Sequence, residues 1–200
     1  MSLESEGRRV IGDPLALRAL AHPLRLKLHA LVGRDGPITA ADAARQLGVS
    51  QALASHHLRQ LAKYGYVEHA DAGDNRERPW RVTHTSNAFE PESSDDPEEA
   101  WEAAEALERF LIERTGAQFA DWQQRRAEED PGWTEHTGIS QNLVYLTLDE
   151  MAELHRAWDE LITPLVRRRP LGDAAARPAG AMPVDVTFIA VPLRPTASGG

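Results

Sequence analysis

With 200 residues, 42% of them hydrophobic, the chain can bury one large core or two small ones, which argues against disorder throughout. It has no cysteine, which excludes disulfides, thiolate metal sites and cysteine nucleophiles together. The net charge of -9 speaks against a nucleic-acid partner only until its distribution is read: residues 8–84 carry twelve Lys or Arg against seven Asp or Glu, and residues 85–200 carry ten against twenty-two.

Asp13-Pro14 reads as an N-cap followed by proline at the first helical position, opening a helix to about Ala21. Pro23 starts a second helix, with Leu24, Leu28 and Leu31 at helical spacing and Gly33 near its end. After the turn at Gly36-Pro37, Thr39 caps a short third helix, with Ala43, Ala44 and Leu47 on its apolar side and Gly48 as its stop. Ser50 caps a fourth helix running to about Lys63. Two short helices joined by a tight Gly-Val turn have the shape of a helix-turn-helix. Tyr66 to His69 and Arg81 to Thr83 are short and β-prone, and the turn formers of residues 71–75 lie between them, so this hairpin is expected to form a wing.

Residues 85–97 are acidic and twice interrupted by proline, and are expected to be a linker. From Pro97 to about Asp130 a single long helix is expected, on the order of 50 Å in length, with Trp101, Ala104, Leu107, Leu111, Gln118 or Phe119, and Trp122 along one face. A helix so long with one apolar stripe needs a partner, either its own domain or a second subunit. Leu143 to Leu148 reads as a strand. Thr147 and Glu150 then make a capping box ahead of Met151, Leu154, Trp158, Leu161, Ile162 and Leu165, a helix that Pro164 should kink or end. Residues 170–183 read as a mobile loop and Val184 to Val191 as a second strand, so the end of the chain is expected to form a small β-α-β unit.

The fourth helix carries most of the chemistry. Leu53, His57, Leu58 and Leu61 share the side expected to face the core, which leaves Gln51, Ala52, Ser55, His56 and Arg59 outward. That face has no acidic residue and no large apolar one, and it suits a major groove: glutamine can pair with adenine, arginine with guanine, and alanine can touch a thymine methyl. Arg76 and Arg78 in the wing could reach the flanking backbone or the minor groove. Thr39 and Ser50, at helix N-termini, could present backbone amides to phosphate. An ordinary solvated surface helix would show the same polar residues; the preceding helix, the tight turn and the wing favour DNA.

The stretch Ala19-Leu-Ala-His-Pro-Leu-Arg-Leu-Lys-Leu28, then Ala-Ala-Arg-Gln-Leu-Gly-Val-Ser-Gln51, Ser55-His-His-Leu-Arg-Gln-Leu61 and Gly65-Tyr-Val-Glu68, resembles the ArsR-type winged-helix repressors. The resemblance covers roughly residues 10–84. It implies a homodimer that sets two recognition helices in successive major grooves of a near-palindromic operator, with Gln51, Ala52, Ser55 and His56 where the family contacts bases and phosphates. Many members of that family sense metals, and here the sequence departs from it: the third helix has no Cys-x-Cys and residues 97–130 have no histidine. His136 and His155, with Glu135 and Glu153, could be assembled into a zinc site on paper, but isolated histidines are more often surface or core residues, so no metal or other cofactor is expected.

Trp101, Trp122, Tyr145 and Trp158 lie in the C-terminal half and could line a pocket for a small apolar effector. The plainer alternative has these rings filling the core and the dimer seam. No phosphate loop, nucleophile elbow or H-E-x-x-H motif is present, so no enzyme is expected. The opening MSLESEGRR lacks the apolar core of a signal peptide and no apolar run could span a bilayer, which points to a cytoplasmic protein without a membrane partner. The expected fold is mainly α with small β: a winged helix-turn-helix over 10–84, an acidic linker over 85–97, and over 98–200 a long dimerisation helix followed by the β-α-β unit. The expected function is that of a sequence-specific DNA-binding transcriptional regulator acting as a homodimer, a repressor by its resemblance; the rival is a winged helix that binds protein as an adaptor.

Overall fold

The computed structural model describes residues 8–70, 78–84, 86–173 and 175–193. The chain opens with strand β1 (Arg8–Ile11) and continues through α1 (Pro14–Leu20), α2 (Pro23–Asp35), α3 (Ala40–Leu47) and α4 (Gln51–Lys63). Each helix starts at a side chain that accepts a hydrogen bond from its first turn: Asp13 from the Leu15 amide at 3.0 Å, His22 from Leu24 at 3.1 Å, Thr39 from Asp42 at 3.1 Å and Ser50 from Leu53 at 3.2 Å. Gly48, at φ 65°, takes the left-handed conformation that ends α3 and lets α4 leave at once in a new direction.

Strands β2 (Val67–His69) and β3 (Trp80–Val82) pair antiparallel, Val67 opposite Val82 and His69 opposite Trp80. Ile38, in the loop before α3, adds a bridge to the far side of Trp80, with both backbone bonds made at 3.0 and 2.8 Å. The wing is thereby anchored to the entrance of the helix-turn-helix. The tip residues 71–77, which include Arg76, lie outside the described residues.

The stretch expected to be an acidic linker holds regular structure. Strand β4 (Ser86–Phe89) pairs parallel with β1, from Arg8 opposite Ser86 to Ile11 opposite Phe89, and a 3-10 turn over Pro91–Ser93 follows. Pro91 and Ala88 are buried, so the acidic residues here decorate one side of an element that is otherwise packed. The pairing joins residues far apart in sequence, and neither strand is long enough to announce itself by alternation.

Helix α5 (Pro97–Arg125) packs its first half against α1. Its buried row is Ala100, Ala103, Ala104 and Leu107, at steps of three and four. Trp101, expected to head the apolar face, is half exposed, because one residue turns the side chain by ~100° and close approach to α1 selects the small alanines. The core they complete is centred on Leu17, Leu28, Val32, Leu58, Leu61 and Tyr66. Each of these leucines contributes about 1.5–3 kcal/mol of burial.

Beyond Arg125 the expected helix gives way to a 3-10 turn (Arg126–Glu128) and a short helix α6 (Pro131–His136). Helix α7 (Leu148–Arg168) begins at the expected capping box: Glu150 accepts from the Thr147 amide at 2.7 Å, and Thr147 accepts from the Glu150 amide at 3.2 Å. Pro164 neither ends nor divides the helix; it removes one amide from an exposed helix, where water can serve the freed carbonyl.

The β-α-β unit does not form within the chain. Among the described residues, 138–146 and 182–193 belong to no strand and make no backbone–backbone hydrogen bond beyond their own turns. Alternating apolar side chains define a strand's faces, but a strand also needs a ladder partner, and these segments do not supply one to each other. The loop expected to be mobile is instead docked: the Gly172 amide donates to the Gly33 carbonyl at 2.8 Å and Arg177 donates to the Arg34 carbonyl at 2.5 Å. Among the described residues, no helix is long and apolar enough to cross a membrane.

Candidate nucleic-acid interface

Helix α4 places Gln51, Ala52, His56 and Arg59 on the surface, with Ser55 partly covered beside them. The opposite side buries Ala54, His57, Leu58 and Leu61. Leu53, expected on the core side, is 42% exposed, and Ala54 occupies the inward position in its place. Only Leu53 departs from the expected face: the buried row runs Ala54, His57, Leu58 and Leu61 at spacings of three and four, and Leu53 falls at its flank.

Gln51, Ser55 and Arg59 line one wall of an open cleft of about 250 Å³. Ala40 forms its rim, and His69, Arg78 and Trp80 of the wing form the facing wall. The Arg59 guanidinium donates to the Ser55 hydroxyl at 3.2 Å, one turn away, which holds the cation over the cleft. His69 and Trp80, opposite each other in the ladder, lie ring on ring with centroids 3.7 Å apart. No carboxylate lines the cleft among the described residues. On the outer edge of the wing Arg81 is paired with Glu68 at 2.8 Å, which leaves Arg78 as the arginine of the described wing that faces α4.

The two helix N-termini differ. At α3 the Thr39 hydroxyl donates to the Asp42 carboxylate at 2.9 Å while accepting from its amide, and Asp42 is also paired with Arg45. A carboxylate therefore already occupies the positive end of α3. The first turn of α4 has no acidic residue, so its amides beyond the Ser50 cap remain suited to an external anion.

Beneath α4 lies a group of histidines. His57 is 8% exposed, its ring 4.7 Å from that of His22 and 5.2 Å from that of the outward His56. Burial, followed by the nearby His22 and Arg25, lowers its pKa; burial and then Arg25 lower that of His22. Both shifts favour the neutral imidazole, which suits His22, whose Nδ1 accepts from the Leu24 amide to cap α2.

His69 and Trp80 do not stand out as site residues in the sequence. Only their facing positions in the β2–β3 ladder bring them together, and one-residue uncertainty in strand register hides such a pair. Ala52 and His56 share the exposed face of α4 without lining the cleft.

The four aromatic residues expected as an effector pocket are not brought together. Trp101 is half exposed and Tyr145 fully exposed. Trp122 leans on Phe119 at 5.6 Å, with the Arg126 guanidinium 5.2 Å from its ring, and Trp158 stacks on Phe188 at 5.4 Å. Among the described residues no ring contact joins any two of the four. His155 lies 3.9 Å from Asp159, and no group of three or more His, Asp or Glu residues that could hold a metal occurs among the described residues.

Residues 20–70, from the end of α1 through β2, match a family model described as a helix-turn-helix domain. This match supports a DNA-binding transcriptional regulator; its description names no narrower family, so the likeness to ArsR-type repressors rests on the sequence motifs alone. No curated protein matches the chain. Among solved structures, the chain is similar to the multiple antibiotic-resistance repressor (MarR) from Listeria monocytogenes, at 12% identity over 77% of this chain and 84% of that one, with a TM-score of 0.29, too low to carry an inference.

Proposed function

We propose that the chain is a sequence-specific repressor that binds a near-palindromic operator as a homodimer, with α4 of each subunit in a major groove. The observation that carries this reading is the convergence of Gln51, Ser55 and Arg59 with Arg78 and the His69–Trp80 pair around one cleft without a described carboxylate. Gln51 and Arg59 offer the planar donors and acceptors that read base edges, and Ala52 offers a methyl for thymine. Ser55 steadies Arg59, and His56 lies on the same face. The open N-terminus of α4 at Ser50 and the Arg78 guanidinium supply contacts to the phosphate backbone.

The test is selection of genomic DNA fragments by the purified protein, followed by salt titrations on the best fragment. The expected outcome is an enriched near-palindrome with half-sites ~10 base pairs apart, one turn of the duplex. Arg59→Ala should relax base preference at defined positions. Arg78→Ala should weaken binding to every sequence and reduce the salt slope by ~0.9 for each phosphate no longer neutralised, ~1.8 in a dimer. A protein that enriches no fragment, under salt conditions where nonspecific binding is visible, refutes the regulator reading and favours a protein-binding adaptor.

A further inference from the structure

Helix α7 is amphipathic, yet none of its residues is buried. Leu154, Leu161 and Leu165 stand at 42%, 63% and 44% exposure along one stripe, with the half-buried Trp158 between them stacked on Phe188 at 5.4 Å. The segments on either side share the anomaly: Leu143 and Val144 before the helix, and Val184 and Val186 after it, are all more than half exposed. These segments have β-branched and aromatic residues typical of strands, but no ladder among the described residues.

We propose that a second copy of this chain covers the α7 stripe, with the two α7 helices antiparallel, and that residues 143–146 and 184–191 become strands in the same interface. This deepens the homodimer named above by assigning its contact surface, and it rests on that part of the reading. Charge selects the antiparallel arrangement. Glu150 in the first turn and Arg168 in the last are eighteen residues apart, ~5 turns of helix, so they flank the stripe on the same side. A two-fold axis near Trp158 brings Glu150 of each copy alongside Arg168 of the other, whereas a parallel pairing sets like charges together. The strand-forming segments of two copies also offer one another the ladder edges that neither finds in its own chain.

The full-length protein should run in light scattering as a species of twice the 22.1 kDa chain mass. Leu161→Asp should raise the dimer dissociation constant about 30-fold or more, as expected for an unpaired carboxylate at the centre of an interface. Because Leu161 is exposed in the single chain, this variant should keep its helical circular dichroism. Ile112→Asp, at a comparably exposed position on α5, should leave the dimer intact. Amide hydrogen exchange over 143–146 and 184–191 should be slow in the dimer and fast in Leu161→Asp. A monomeric wild type, a dimer indifferent to Leu161→Asp, a dimer broken by Ile112→Asp, or fast exchange in the intact dimer each overturns the proposal. A monomer that still selects operator DNA overturns this inference while leaving DNA regulation standing; a dimer of the stated kind that selects no DNA does the reverse.

Discussion

Replacing Tyr66 by phenylalanine removes one oxygen from the centre of the winged helix-turn-helix and leaves the ring in place. Tyr66 is 1% exposed, and its hydroxyl donates at 2.8 Å to the carbonyl of Ala16 in α1, 50 residues earlier in the chain. The ring also meets His29 edge-on at 5.9 Å and lies 5.2 Å from the Arg9 guanidinium. A phenylalanine keeps those ring contacts. The Ala16 carbonyl keeps its place in the helix ladder, so it is deprived of one partner but not of both. The expected cost is therefore about 1–2 kcal/mol, the net value of a buried hydrogen bond with a partial desolvation penalty. For a chain of this size it corresponds to a lowering of the melting midpoint by roughly 2–8 °C. Urea unfolding followed by circular dichroism, at fixed protein concentration, measures it. The hydroxyl also gives the variant an alkaline signature. Burial, the largest influence, pushes the Tyr66 phenol well above its ordinary value of 10.0. The protonated phenol is thus favoured in the fold, and its contribution is full below pH 10 and lost as the pH rises above it. Phenylalanine has no such loss, so the two stability curves should converge in alkali. A variant as stable as wild type at neutral pH, or curves that stay parallel in alkali, would refute this account of the hydroxyl.

Acid should weaken the fold through His29, which burial and then Arg114 hold down to about 4. Its folded value lies below the unfolded 6.5, so the stability of its neutral form is present above pH 6.5 and is lost as the pH falls from 6.5 to about 4. The loss is on the order of 3 kcal/mol, and urea midpoints of His29→Gln should fall less steeply across that range. His22, His57 and His84 are shifted in the same direction and add to the acid sensitivity that remains. Ser50→Ala deletes the cap of α4 and should cost ~1 kcal/mol, with faster amide exchange confined to the first turn of that helix. Gly36→Ala should be destabilising by ~1 kcal/mol or more, since Gly36 sits at φ 91° and an added Cβ would meet the Gly172 carbonyl oxygen at 2.8 Å. Thermal unfolding checks it, and an unchanged midpoint would refute the strain assigned to a side chain at position 36.

The four helices of the N-terminal part and the cap of α7 are legible in sequence for one physical reason. A helix is closed by bonds within four residues, so Asp13, Thr39, Ser50 and Thr147 announce starts that the surrounding fold has little power to move. The exposed face of α4 follows from the same periodicity, which is why Gln51, Ser55 and Arg59 can be picked out along the chain before their cleft is seen. Strands lack that local closure. Val184 to Val191 carries the side-chain pattern of a strand yet has no ladder partner among the described residues, whereas Arg8–Ile11, with no such pattern, forms one because β4 runs beside it.

Sequence alone therefore determined where helices begin, which face of α4 is polar, and that the basic charge gathers in the N-terminal part. Tertiary structure decided the rest. It chose Ala54 over Leu53 and Ala100 over Trp101 for the interior, because packing distance, and not hydrophobicity, limits what fits between two helices. It turned the acidic stretch after the wing into a strand and set His69 on Trp80 opposite Arg59. It also left every residue of α7 short of burial, because burial depends on what lies across from a surface, and no pattern along one chain contains that information.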